Sequence, residues 1–163
     1  METQIGKGDY HQPLLKPPEV GDIYGLDISA AQLNNCRKLV TNREWAVDLF
    51  LGKAEELPFK SDSFDSVFHI GGINFFSEKK NAIDEMVRVA RPGSKIVIAD
   101  ESEQVAQTVA RFLRLPHSIQ DNKVDTSVPV HLVPEAMKEV RVDGIWKMHG
   151  QYHGYRLEFR KPG

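Results

Sequence analysis

The sequence predicts an α/β domain: a mostly parallel sheet with helices on both faces and a C-terminal antiparallel hairpin along one edge. Two observations carry that expectation. Apolar runs of strand length alternate with segments of helical period from residue 22 to residue 100. Two further strand-like runs then lie close together at the end of the chain, and such closeness favours a hairpin.

The elements follow in order. DIYGLDI (22–28) reads as a buried strand, and AVDLFLG (46–52) as a second. Between them Ser29 and Gln32 have the spacing of a capping box, which predicts a helix from Ala30 to Leu39. FDSVFHI (64–70) is a third strand. Ser77 stands before NAIDEMVRVA, whose Ile83, Met86, Val87 and Ala90 share one helical face. Arg91-Pro92-Gly93 breaks that helix with a turn, and KIVIAD (95–100) is the fourth strand. A helical stripe of Val105, Val109, Phe112 and Leu113 predicts a helix over 101–115, and Pro116 to Val133 reads as an irregular excursion. EVRVDGIWKM (139–148) and GYRLEFR (154–160) are the hairpin strands, joined by a short turn bearing His and Gly. The expected organisation is one domain over 1–163, with a ligand-binding core over 1–100 decorated by the helix, excursion and hairpin of 101–163.

Composition excludes several classes. The chain has 163 residues, 40% hydrophobic and 27% charged, which is too apolar for a disordered protein. No run approaches the roughly 18–20 apolar residues of a membrane span, so none is expected. The formal charge of −2 offers no basic excess for a nucleic-acid backbone. The single cysteine, Cys36, forms no intrachain disulfide and no multi-cysteine metal site, which points to a reducing, cytoplasmic setting. His117 and His131 have no metal-ligand spacing with any carboxylate, and no metal is expected.

Gly6 and Gly8 open the chain as E-x-Q-x-G-x-G with Glu2 and Gln4, a glycine-rich turn in which Gln replaces the first glycine. Glycine is needed where backbone passes close to a ligand. Asp27 ends a strand 19 residues after Gly8, near the distance at which an acid takes the ribose hydroxyls of a bound nucleoside. An N-terminal turn and a strand-end Asp would give the same pattern without a ligand.

GKAEELPF (52–59), SFDSV (63–67) and RVARPG (88–93), in that order, resemble the class I S-adenosylmethionine-dependent methyltransferases. The likeness is greatest to the small-molecule branch around the UbiE-type quinone-biosynthesis enzymes, and it runs from Glu2 to Asp100. It implies a Rossmann-like fold and S-adenosylmethionine as cofactor. It also implies a small-molecule acceptor, with O- or C-methylation favoured. A nicotinamide-dependent dehydrogenase shares the glycines and Asp27 but has no reason to carry the LPF, SFD and RPG series.

Carried over residue by residue, the resemblance puts Gly6 and Gly8 under the methionine part of the cofactor, with Glu2 near its ammonium group. Asp27 takes the ribose diol, and Ala54 and Glu55 lie where adenine is held. Lys53 stands at a position often acidic in the family. Leu57 and Phe59 serve as core residues. Gly71 and Gly72 let backbone approach the sulfonium region. His69 is the one histidine at a catalytic position, where a base near neutral pH would serve O- or C-methylation. A packed strand histidine is the alternative. Asn74 is a candidate to orient the acceptor. The Asn/Asp-Pro-Pro-aromatic motif of nucleic-acid methyltransferases is absent, so no nucleic-acid partner is expected.

Set against the family, the first strand is shortened, the N-terminal lid is absent, and the chain reads as N-terminally truncated. A second copy filling the place of the strand, as a homodimer, is the low-cost remedy. A methyltransferase fold that binds without turnover is the alternative to an active enzyme.

Overall fold

A computed structural model of the chain describes Met1, residues 21–102, Val105 and residues 127–163. The elements are β1 (Ile23–Asp27), α1 (Ala30–Asn42), β2 (Val47–Leu51), β3 (Phe64–Ile70), α2 (Lys79–Val89), β4 (Ala90–Glu101), β5 (Lys138–Met148) and β6 (Gln151–Arg160). Single 3₁₀ turns sit at Ile73–Phe75 and Pro129–Leu132. The helix expected over 101–115 and most of the excursion after it fall outside the described residues.

β1 and β2 pair in parallel, from Ile23 opposite Val47 to Asp27 opposite Leu51. The other four strands run in the order β3-β4-β6-β5, with β3 and β4 parallel and the last two pairings antiparallel. Tyr24 and Phe64 meet with ring centroids 5.4 Å apart, so the two parallel pairs begin side by side. Met1 joins β3: its backbone nitrogen donates to the Ser66 carbonyl at 2.8 Å and its carbonyl accepts from Phe68 N–H at 2.9 Å. Its buried side chain enters the same core as Leu26, Val67 and Ile96.

Alternation along β2 separates the two helices. Val47 and Leu49 pack with Trp45 against Leu33, Cys36 and Val40 of α1. Phe50 points the other way, into the cluster that holds Ile83, Met86 and Val89 of α2 with Ile96, Ile98, Leu157 and Phe159. The helices therefore cover opposite faces. Ile96, Ile98, Leu157 and Phe159 are fully buried, and each such side chain contributes roughly 1.5–3 kcal/mol. That anchors the hairpin to the parallel sheet.

Three local features differ from expectation for physical reasons. Ser29 caps α1 by accepting from Gln32 N–H at 3.3 Å, but Asp27 takes the Ser29 N–H at 2.8 Å, the half of the capping box that Gln32 would have supplied. Glu78, not Ser77, precedes α2, without a side-chain cap. α2 stops at Val89, and Ala90 already pairs with Phe64. The Arg-Pro-Gly turn survives as a register break, since pairing resumes only at Lys95 and Gly93 takes a φ of 79°. Lys161 closes the end of α2, donating to the carbonyls of Val87 at 3.0 Å and Ala90 at 2.8 Å and to Asp62 Oδ1 at 2.7 Å. Lys161→Met should lower stability by about 1–3 kcal/mol, read as the midpoint of denaturant unfolding.

The hairpin turns at His149 and Gly150, both with positive φ (48° and 83°), as a two-residue type I′ turn requires. β5 is the outer strand, interrupted between Lys138 and Arg141 and carrying positive φ at Glu139 and Trp146. Such breaks, with the charges of Arg141, Asp143 and Lys147, guard an edge against adding another strand. Gly154 lies under the Trp146 ring, and a Cβ there would stand 2.8 Å from the Asp100 carbonyl. Gly154→Ala should therefore destabilise by about 1–3 kcal/mol and change Trp146 fluorescence. No described helix is long and apolar enough to cross a membrane.

Candidate functional site

Residues at the carboxyl ends of the strands form two clusters, one for each parallel pair. In the first, Asp27 ends β1 at 4% exposure. Its carbonyl accepts from Gly52 N–H at 3.1 Å, which ties the end of β1 to the loop after β2. In that loop Ala54 is buried, Glu55 is half-buried and Lys53 is exposed, so the long Lys53 stem leads its charge into solvent.

The same loop is braced from α2. Leu57 N–H donates to Glu85 Oε2 at 2.7 Å, while Arg88 donates to the carbonyls of Phe59 at 2.8 Å and Leu57 at 3.0 Å and pairs with Glu85. The Arg88 hydrogen bond holds the Glu85 carboxyl below its ordinary range, although partial burial works against it. Leu57 is buried, and Phe59 meets the rings of Tyr24, Phe50 and Phe64 edge-on. Both are core residues, as the sequence suggested.

The second cluster surrounds the loop after β3. Gly71 and Gly72 take φ of 79° and 91°, and Gly72 leads into the 3₁₀ turn that carries Asn74. Gly71 N–H donates to the Ala99 carbonyl at 2.8 Å. Asp100, 1% exposed, accepts from Gly72 N–H and Asn74 N–H, both at 3.2 Å, and from Glu101 N–H at 2.8 Å. Burial pushes its carboxyl upward against those bonds, and burial with the Asp100 charge raises Glu101. Asn74 Nδ2 reaches the Glu101 carbonyl at 3.5 Å, and its Oδ1 is buried without a hydrogen-bond partner. Ser102 Oγ is in the same condition.

The structure thus joins Asp27 to the Gly52–Glu55 loop, and Gly71 and Gly72 to Asp100 and Asn74. Glu2, Gly6 and Gly8 lie outside the described residues. His69 is at 0% exposure, edge-on to Phe76 at 5.1 Å. Among the described residues no group of three or more His, Cys, Asp or Glu is placed to hold a metal ion. Sequence reasoning missed Glu85, Arg88 and Asp100. The Glu-x-x-Arg spacing on one helical face and an acid closing KIVIAD were the available signals.

Open space at Gly71 and an unspent acceptor suit a polar ligand lying across strand ends. Among the described residues a Cβ built on Gly71 would meet nothing within 4 Å, and Asn74 Oδ1 has no hydrogen-bond partner. The site therefore fits a nucleoside-bearing cofactor.

Comparison with known proteins gives the class. Residues 1–98 match the family described as methyltransferase domain, and the chain belongs to that family. The cofactor that goes with it is S-adenosylmethionine. The chain is 35% identical over 106 residues to the demethylmenaquinone methyltransferase of Lactiplantibacillus plantarum, a match covering 63% of this chain and 45% of that one. It is 37% identical over 115 residues to the ubiquinone/menaquinone biosynthesis C-methyltransferase UbiE of Wigglesworthia glossinidia brevipalpis, covering 69% and 46%. The match thus spans under half the length of these curated relatives. Among solved structures, an S-adenosylmethionine-dependent methyltransferase from Thermotoga maritima superposes with a TM-score of 0.68 at 17% identity, over 98% of this chain and 80% of that one. The shared fold is the Rossmann-like one expected from the motifs.

Proposed function

We propose that this chain binds S-adenosylmethionine and passes its methyl group to a small-molecule acceptor. The observation that carries the reading is the junction of Asp27 with the loop holding Ala54 and Glu55, within the stretch that matches the family. When bound, the cofactor supplies an activated methyl group on a sulfonium. The chain's own residues hold and align it. Asp27 accepts from the ribose hydroxyls, the Ala54 backbone and Glu55 face adenine, and Gly71 and Gly72 bring backbone to the sulfonium side. Glu2, Gly6 and Gly8 belong to the methionine part of the same assignment.

Alignment and exclusion of water do most of the work in such a transfer, so few reacting side chains are required. His69 has no exposed surface to offer an acceptor, and we assign it to packing beside Phe76. The named activity of the second relative, a C-methyltransferase of ubiquinone/menaquinone biosynthesis, favours carbon methylation over the oxygen alternative.

Calorimetry with S-adenosylmethionine, S-adenosylhomocysteine and NAD tests the cofactor. Release of labelled methyl across a panel containing demethylmenaquinone tests the reaction. Binding of the first two ligands but not NAD, with methyl transfer to a panel member, is the expected result. Binding without transfer to any member would favour a methyltransferase fold that has lost turnover. Absence of binding would overturn the reading.

A further inference from the structure

Asp100 makes none of the contacts assigned to the donor above, yet it is buried at the same strand ends. We propose that Asp100 is a positioning residue whose carboxylate holds the Gly71–Asn74 backbone in the shape that faces the methyl donor. The part concerning the donor rests on the function proposed above; the brace itself does not.

The geometry argues for it atom by atom. Two successive glycines with positive φ take the chain out of the β3 ladder, so the amides that follow have no strand to donate to. At 1% exposure for Asp100 and 4% for Asn74, water is a poor substitute. The carboxylate fills the need: Oδ1 accepts from Gly72 and Glu101, and Oδ2 accepts from Asn74. A carboxylate is the one side chain of this size that accepts on both oxygens and donates on neither. Burial opposes its ionised form, and the backbone amides provide compensation. Asn74 adds a second tie through Nδ2 to the Glu101 carbonyl, so the loop is fastened to the end of β4 at two points.

This arrangement makes the amide isostere informative. Asn at position 100 keeps the volume and one acceptor. With that oxygen toward Gly72 and Glu101, its NH₂ group confronts the Asn74 N–H, donor against donor. Asp100→Asn should therefore release the Asn74 amide first and leave β4 paired.

Amide hydrogen exchange, read residue by residue by NMR, tests the brace. In the unaltered protein Gly72 and Asn74 should exchange at least about a hundred-fold more slowly than an unstructured peptide, and peptide-like rates there would overturn the proposal. That measurement decides the matter even where the variant does not fold. In Asp100→Asn the Asn74 amide should speed up about ten-fold or more, with Val97 and Ile98 unchanged. The dissociation constant for S-adenosylhomocysteine should rise about ten-fold. Lys161→Met serves as the control, destabilising the far end of α2 while leaving Asn74 protection and S-adenosylhomocysteine affinity unaltered. Unchanged Asn74 exchange in Asp100→Asn, or a loss spread evenly over α2 and β4, would refute a positioning role. An unaltered protein that does not bind S-adenosylhomocysteine would overturn the cofactor assignment, while the exchange result would still decide the brace.

Discussion

Asp27→Ala should remove most of the affinity for S-adenosylmethionine. The carboxylate is assigned two ribose hydroxyls, and each charge-assisted hydrogen bond contributes roughly 1.5–3 kcal/mol. Losing both would raise the dissociation constant by about two to four orders of magnitude. The fold should suffer less. Asp27 Oδ1 also accepts from Ser29 N–H beside the helix cap, so a penalty of about 1 kcal/mol at the start of α1 is expected. Asp27→Asn separates the two effects, since an amide oxygen still serves Ser29 but brings no charge to the ribose. Calorimetry and thermal melts on both variants give the answer. An Asp27→Ala protein with wild-type affinity would remove Asp27 from the site.

Arg88→Leu should be the most damaging substitution for stability. The guanidinium holds two loop carbonyls, Leu57 and Phe59, and the Glu85 carboxylate that in turn holds Leu57 N–H. Removing it leaves those carbonyls without their partner and a half-buried carboxylate without its cation, for a loss of about 3 kcal/mol. The ion pair also has a pH signature. Arg88 keeps the folded Glu85 carboxyl below its ordinary value, so the pair's contribution is complete above that ordinary value. It is lost as pH falls through the depressed value. Arg88→Leu should therefore be less stable near neutrality and show a shallower further decline into acid. Parallel stability–pH curves for the two proteins would contradict this.

Much of the frame was legible because each piece has a local cause. β3 lies where its apolar run put it, at Phe64–Ile70, and α1 begins where Ser29 caps it. The hairpin followed from two apolar runs around a His-Gly turn. What escaped depended on partners distant in sequence. Nothing local says that Glu85 and Arg88 reach across about 30 residues to the Leu57–Phe59 backbone, or that Asp100 reaches back to Gly72 and Asn74. The Pro92-Gly93 pair was read as ending one element before the next began. In the structure the strand starts at Ala90, and Gly93 absorbs the turn inside it. His69 is the reverse case: a residue type suited to catalysis at the right point of the chain, yet at 0% exposure, where the packed alternative is the one we favour.

The burial of Cys36 on the inner face of α1 has a practical consequence. It is the chain's single thiol and has 0% exposure, so an alkylating reagent reaches it only on local opening around α1. The rate of labelling under native conditions is therefore a clock for local opening of the β1–α1–β2 unit, independent of any catalytic assay. Asp27 and Ser29 stand at the N-terminal end of α1, within that unit. A ligand that engages Asp27 should slow the clock by a factor of one plus the ratio of its concentration to its dissociation constant. One unmodified residue would then report both the integrity of the fold and the occupancy of the site.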